Sequence, residues 1–404
     1  MGEVPSVPVH MLRTAFDPID ELARRRAAAP VSRVTAAMGS VRFPAWLITR
    51  YDDVRAVLSD ATRFSNANAA VRVHVAAAMG EETAARVELG GPSLLSYDPP
   101  YHTWLRRLVA PTFTVKRMFG LRRRVEAIVA EHLDAMAGRG GPVDLVEAFA
   151  LPVPSLVICE LLGVPYDDRA DFQRRGEAQL DLELDLDERR AVEEESRAYM
   201  ATLVRRNRAH PGDNLLGTLA RDHGDELPDE ELVALGILLL VAGHETTANM
   251  LGLGTLLLLR HPDQLALLRD DPGIVDRAVE ELMRYLSIVH TGIIRTALKD
   301  VTIGGTAIKA GDAVICSLPS ANRDEAITDD PDVLDLTRRP TSHVAFGHGI
   351  HHCLGAPLAR LEMRIAFPAL LRRFPGLRLA VPFEKIEFRS LSVVYGIQSL
   401  PVTW

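Results

Sequence analysis

The chain has 404 residues, of which 47% are apolar and 25% charged. That is the mix of a folded globular protein, long enough for one large domain or two smaller ones. A formal charge of −8 argues against a general nucleic-acid binder, which is usually basic. The sparse cysteines, Cys159, Cys316 and Cys353, form no Cys-x-x-Cys pair, so they point to a reducing, cytoplasmic compartment without a disulfide framework. The opening MGEVPSVPVHMLRTAFDPIDEL has no apolar h-region and reads as neither signal peptide nor membrane anchor.

In chain order, residues 1–40 read as an N-terminal extension packing on the rest. Ala45–Thr49 (AWLIT) is compact and apolar enough for a strand, and YDDVRAVLSD opens an amphipathic helix near Asp52. Weak periodicity and turn residues over 63–100 predict loop with short helices, a mobile cover for a pocket, and 167–187 reads as a second such region. From Tyr101 to about His210 apolar residues recur at helical spacing, with boundaries at Pro152, Pro154 and Gly163-Val164-Pro165.

Leu232–Leu259 is the longest apolar run, and by length it is able to span a bilayer. Its middle, however, carries His244, Glu245, Thr246, Thr247 and Asn249, and a charge at bilayer centre costs roughly 3 kcal/mol. Acidic residues rather than Lys or Arg flank its N-terminal end, so the segment reads as a long helix through a core and not as a membrane span. A helix over Ile274–Leu286 follows. Strands are then expected within Thr291–Ser317, with turns at Gly304-Gly305 and Ala310-Gly311-Asp312. A helix from about Leu354 to Arg373 and a strand-rich tail close the chain.

Cys159 and Cys316 sit in apolar runs and read as small core residues. Cys353 differs, because Gly347, Gly349 and Gly355 bracket it in FGHGIHHCLG and a helical period follows. Its sulfur is expected near a helix N-terminus, which favours a thiolate, while glycine-rich backbone lets a flat cofactor approach. From the residues alone three readings stand: a plain turn around a buried cysteine, a zinc site using His343, His348, His351 and His352, and an axial thiolate to haem iron.

FGHGIHHCLG resembles the haem-binding signature F-G-x-G-x-H-x-C-x-G of the cytochrome P-450 superfamily at every defined position. The resemblance implies that Cys353 is the proximal ligand, that His351 contacts a haem propionate, and that Phe346, Gly347 and Gly355 border the cofactor. Three more elements are similar to family signatures and occur in order. LLLVAGHETTANM resembles the oxygen-activating helix, with Ala242 and Gly243 beside the iron and Glu245 and Thr246 as the acid and hydroxyl that handle protons. Without that resemblance, Thr246 reads as back-bonding its own helix and Glu245 as pairing with a neighbour. VEELMRYLS contains Glu281-x-x-Arg284, an ordinary surface spacing by itself. It is similar to a buried structural pair joined by Arg339 or a neighbour, with Glu280 beside it read as solvated. YDPPYHTWLRRLV resembles a bacterial stretch in which His102 and Arg106 hold propionates. Tyr101 and Trp104 there replace residues often charged in relatives, and Arg295 in GIIRTA matches a further propionate-binding arginine.

The resemblance runs from about Pro44 to Trp404 and is strongest to actinobacterial members. It implies a mainly α fold, a single triangular domain over 1–404 with small β-sheet elements, holding haem b (iron protoporphyrin IX). The implied activity is a monooxygenase inserting one oxygen atom from O2 into a lipophilic secondary metabolite, with a polyketide macrolide preferred over a terpenoid or xenobiotic. A haem-thiolate protein that only binds or isomerises its ligand is the alternative of another class. Val241, Val289, His290, Ile293, Ile294, Val393 and Val394 are the implied substrate contacts, with His290 as a polar handle. No flavin or nicotinamide domain is legible, so a ferredoxin and a ferredoxin reductase are the implied electron donors to a monomer. Arg106, Arg107, Arg117, Arg122, Arg123, Arg124, Arg360 and Arg364 are candidates for a basic docking patch, or else for solvated helix faces.

Overall fold

The structure is a computed structural model describing residues 7–38, 41–80, 93–165, 168–182, 184 and 186–404. Parts of both expected cover regions, 81–92 and residues 167, 183 and 185, lie outside the described residues. What is described of 63–100 includes a helix, Ala69–Met79, longer than the weak periodicity suggested.

Helices dominate, and one organises the rest. Asp229–Arg260 begins after Pro228 with three acidic residues in its first turn and Arg260 in its last, both favourable to the helix dipole. Its residues from Leu232 to Leu258 are mostly buried in the main apolar core, so the run long enough for a membrane is the protein's central helix. It packs against Pro152–Leu162, Leu186–Ala209, Val275–Leu286 and Ala356–Arg373. Pro152 starts the first of these, and Gly163, in the left-handed region at φ 77°, ends it.

The largest sheet gathers strands from both ends of the sequence. Its order is Val31–Met38, Val41–Ile48, Ala313–Cys316, Ile293–Ala297 and Phe64–Ser65. Only the pairing of Val41–Ile48 with Ala313–Cys316 is parallel. In Val41–Ile48 the buried residues alternate as Val41, Phe43, Ala45 and Leu47, the period of a strand with one face on a core. The partner Val31–Met38, with its mixed VSRVTAAM, was not legible as a strand. The strand-rich tail is corrected: after Ala356–Arg373 only Arg378–Leu379 and Pro401–Thr403 are strands, because turns at Pro, Gly and Ser interrupt the apolar residues.

The ExxR pair forms the joint between these parts. Arg284 and Glu281 are buried and make two hydrogen bonds of 2.8 Å each. Arg284 also donates to the carbonyls of Asn322 and Pro331 at 2.9 and 2.7 Å. The third member is Arg338, whose Nε lies 3.1 Å from Glu281 Oε1; Arg339 is exposed. Asn322 carries the joint onward, accepting from Val344 N at 2.7 Å at the start of the cysteine loop.

Candidate haem and oxygen site

The cysteine loop is shaped by glycines where no other residue fits. Gly349 has φ 73°, and a Cβ there would collide with the Leu58 carbonyl oxygen and lie 2.9 Å from Ser59 Cα. The loop therefore lies directly on the end of the helix Tyr51–Ser59. Cys353 N donates to Phe346 O at 2.9 Å, closing the loop, and Phe346 is buried with the Arg360 guanidinium 4.4 Å from its ring centre.

Cys353 is the exposed one of the three free cysteines, its residue surface opening inside the fold just before the helix Ala356–Arg373. Burial of the sulfur among protein atoms pushes the thiol above its ordinary value. The N–H groups of Gly355 and Ala356 and the charges of Arg106 and Arg360 oppose that rise without cancelling it. The helix N-terminus alone therefore does not give the thiolate expected from the sequence. A metal cation at the sulfur removes the proton outright.

Around the loop, four cationic or donor side chains converge without an acid to pair them. His102 and His351 have ring centres 4.1 Å apart. Both ring nitrogens of His102 and Nε2 of His351 are buried with no hydrogen-bond partner. Burial, together with nearby positive charge, lowers both; His351 falls to about 3. Each is thus a neutral imidazole with an N–H to offer. Arg106 donates to the His352 carbonyl at 2.6 Å. Arg295 is buried beside Asn66, to whose side-chain oxygen it donates, and burial draws its guanidinium below the ordinary range. Neither arginine has an ion pair among the described residues. Unpartnered buried donors cost free energy unless a ligand satisfies them. Two arginines and two neutral imidazoles next to a cysteine fit a haem whose two carboxylates face them.

The central helix supplies the other half. Among its buried neighbours Ala242 is exposed, and Leu238 and Thr246, one turn away on either side, are half-buried. This i, i+4 stripe faces a space inside the fold. Thr246 Oγ1 donates to the Ala242 carbonyl at 2.7 Å, which leaves the hydroxyl as an acceptor toward that space. Gly243 abuts Ile158. Glu245 points elsewhere: it is 1% exposed, with His244 Nε2 at 3.3 Å and Arg389 Nη1 at 3.7 Å. Burial pushes the Glu245 carboxyl up, but His244, Arg389 and Asn249 outweigh it and hold it below the ordinary value.

The expected substrate contacts divide. Ile293 lies on the same strand face as Arg295, and a Cβ on Gly347 would be 3.6 Å from its Cδ1, so it borders the cysteine loop. Val289 and Val393 are also half-buried. Ile294 points to the opposite face and packs with the cluster of Phe43, Leu47 and Ile315. Val241 and Val394 belong to the main core. His290 is not a polar handle: it is wholly buried, its nitrogens 3.1 Å from Met11 O and 2.8 Å from Ser392 O.

Glu280, read as solvated, is half-buried and held by Arg360 at 2.6 and 2.8 Å and by His343 at 3.1 Å. Those partners outweigh burial and lower its carboxyl to about 2. It clamps Val275–Leu286 to the helix after Cys353. His343 is thereby committed to Glu280, and no cluster of metal-binding side chains is present among the described residues. In the basic patch, Arg122, Arg124, Arg360 and Arg364 are paired with Glu126, Glu160, Glu280 and Asp276. Arg107, Arg117 and Arg123 have no ion pair among the described residues. A groove of about 580 Å³ between the helices Arg122–Arg139 and Ala356–Arg373 contains none of the cofactor or oxygen-site residues.

A cysteine loop with a convergent set of propionate-type donors, and a central helix opened at a small residue and a threonine, fit a haem oxygenase. Comparison with known proteins agrees. Residues 273–391 match the family described as Cytochrome P450. Cytochrome P450 FAS1 of Rhodococcoides fascians is 44% identical over 405 residues, covering 100% of both chains. The mycinamicin IV hydroxylase/epoxidase of Micromonospora griseorubida is 43% identical over 379 residues, 93% of this chain and 92% of that one. The crystal structure of CYP105P1 in complex with filipin I superposes with a TM-score of 0.89 at 44% identity, over 100% of this chain and 99% of that one. The chain belongs to the cytochrome P450 family, and it is a monooxygenase of mainly helical fold whose cofactor is haem.

Proposed function

We propose that the protein inserts one oxygen atom of O2 into a bulky lipophilic secondary metabolite, a polyketide macrolide by class, using haem b in a single domain over 1–404. The observation that carries the reading is the opening of an otherwise buried helix at Ala242 and Thr246. Haem held by a thiolate supplies dioxygen activation, with electron density from sulfur favouring O–O cleavage. Cys353 would be its iron ligand; His102, Arg106, Arg295 and His351 would hold its carboxylates, and Phe346, Gly347 and Gly355 would border it.

The chain's own part is orientation and proton control. The Thr246 hydroxyl, its hydrogen already given to Ala242 O, accepts a hydrogen bond in the distal space and so keeps a proton donor in place there. Glu245, the preceding residue on the same helix, would be the acid through which protons reach that hydroxyl. Val289, Ile293 and Val393 offer half-buried apolar surface, which suits a lipophilic substrate and excludes water from its contact face. The relatives named for mycinamicin IV and filipin I support the substrate class. Electrons would come from a ferredoxin and its reductase, with Arg107, Arg117 and Arg123 available to an acidic partner.

The test is a spectral binding screen of macrolides and terpenoids, followed by turnover of the tightest binder under isotopically heavy dioxygen. One heavy oxygen per product is expected. Product oxygen drawn from water, or an isomerised product without added oxygen, contradicts the reading.

A further inference from the structure

The buried cluster beside Thr246 constrains where its protons sit. His244 Nδ1 lies 2.8 Å from the Leu240 carbonyl oxygen; a carbonyl only accepts, so Nδ1 carries a hydrogen. The other ring nitrogen, Nε2, is 3.3 Å from Glu245 Oε1. Neither of those two atoms has a well-aligned hydrogen-bond partner among the described residues. Both side chains are sealed from solvent. With His244 neutral and Glu245 ionised, a ring lone pair would face a carboxylate oxygen in a dry interior, two acceptors with nothing between them. One proton on either atom removes the conflict. Imidazolium with carboxylate, and imidazole with carboxylic acid, contain the same number of protons.

The surroundings hold the ring at this place. On the helix Arg169–Leu180, a Cβ at Gly176 would collide with His244 Cε1 and lie 2.7 Å from Nε2, so a residue without a side chain lets the imidazole nest there. From the C-terminal loop Arg389 reaches Glu245 Oε2 at 3.7 Å, with 16% of its side chain exposed. Asn249 Nδ2 donates to the Glu245 backbone carbonyl at 2.7 Å.

We propose that His244 is a positioning residue that shares one proton with Glu245 and drives its replacement after each delivery. This rests on the reading of Glu245 as the proton-handling acid. When the pair gives up its proton, one O–H or N–H bond breaks and no electrons move. What remains is neutral imidazole beside carboxylate, the state with two facing acceptors. That state takes a proton back from solvent, by way of the Arg389 side. Without His244, the ionised Glu245 has Arg389 as its close cation and no such drive.

Two measurements on the holoenzyme test this. Nitrogen-15 NMR of labelled histidine, in the reduced carbon monoxide complex with His244→Gln for assignment, reads the ring protons. Infrared difference spectra against Glu245→Gln read the carboxyl. Expected at neutral pH is either a doubly protonated His244, or an Nδ1–H ring together with a protonated Glu245 carboxyl band. A singly protonated ring beside an ionised Glu245 overturns the shared proton. In turnover, His244→Phe is expected to lower product per electron severalfold and enlarge the solvent deuterium effect; an unchanged isotope effect overturns the relay. Glu245→Gln with unchanged coupling overturns instead the reading of Glu245 on which the relay rests.

Discussion

Arg295→Leu separates a cofactor-holding role from a structural one, because two stabilities are expected to move in opposite directions. Arg295 is 3% exposed. Its partners are the Asn66 side-chain oxygen and the Ile294 carbonyl at 3.0 Å, while Asp98 acts on it only from farther off. A buried charge without a counterion costs several kcal/mol, and even buried ion pairs replaced by well-packed apolar residues are often neutral or stabilising by about 1–4 kcal/mol. The haem-free variant is therefore expected to be as stable as the parent or more so. A charge-assisted hydrogen bond to a carboxylate contributes about 1.5–3 kcal/mol, so losing it weakens haem retention by about 10- to 150-fold at about 1.4 kcal/mol per decade. Haem transfer to excess apomyoglobin measures retention, and urea unfolding of the haem-free proteins measures stability. A destabilised haem-free protein with an unchanged transfer rate would make Arg295 a structural residue and not a holder of the cofactor.

Thr246→Ala is expected to keep haem but release more peroxide per electron, read by parallel peroxide and product assays; unchanged coupling removes the hydroxyl from the proton path. Arg338→Ala takes a partner from the buried Glu281 and is expected to cost roughly 3 kcal/mol, whereas Arg339→Ala, at an exposed position, stays within about 0.5 kcal/mol. Equal effects in denaturant melts contradict the assignment of Arg338 to the joint. For Glu280 the folded carboxyl lies at about 2 against an ordinary 4.5. Its stabilisation is therefore present above the unfolded value and lost as pH falls from about 4.5 to about 2. Glu280→Gln is expected to cost roughly 3 kcal/mol at neutral pH, the two proteins converging toward pH 2; a constant gap across that window removes the linkage.

The helical plan was legible because long amphipathic or apolar runs carry their own period, as in Asp229–Arg260 and Val275–Leu286. Val31–Met38 was not, since VSRVTAAM owes its strand to pairing with Val41–Ile48, a tertiary cause. At the site, the cysteine loop was readable because its glycines and cysteine are local. Glu280 was misread for the opposite reason: its partners are 63 and 80 positions away, and nothing in EE predicts which glutamate turns inward. Arg338 and Arg339 differ in the same way, by the direction one residue takes in a loop. The resemblance nominated Ile294 and His290 along with Ile293, but a strand sends neighbours to opposite faces, and His290 is claimed by Met11 and Ser392. The partners of Glu245 were legible only in part: the sequence suggests a neighbour on its own helix, but Arg389 comes from the C-terminal loop, a tertiary cause.

The proposed chemistry needs the sulfur of Cys353 as the iron ligand. The most direct test is the carbon monoxide difference spectrum of the reduced holoenzyme beside those of Cys353→Ser and Cys159→Ser. The red-shifted Soret band of a thiolate-bound haem is expected in the parent and in Cys159→Ser, and its loss in Cys353→Ser. The same band surviving in Cys353→Ser, or absent from the parent, contradicts that ligation.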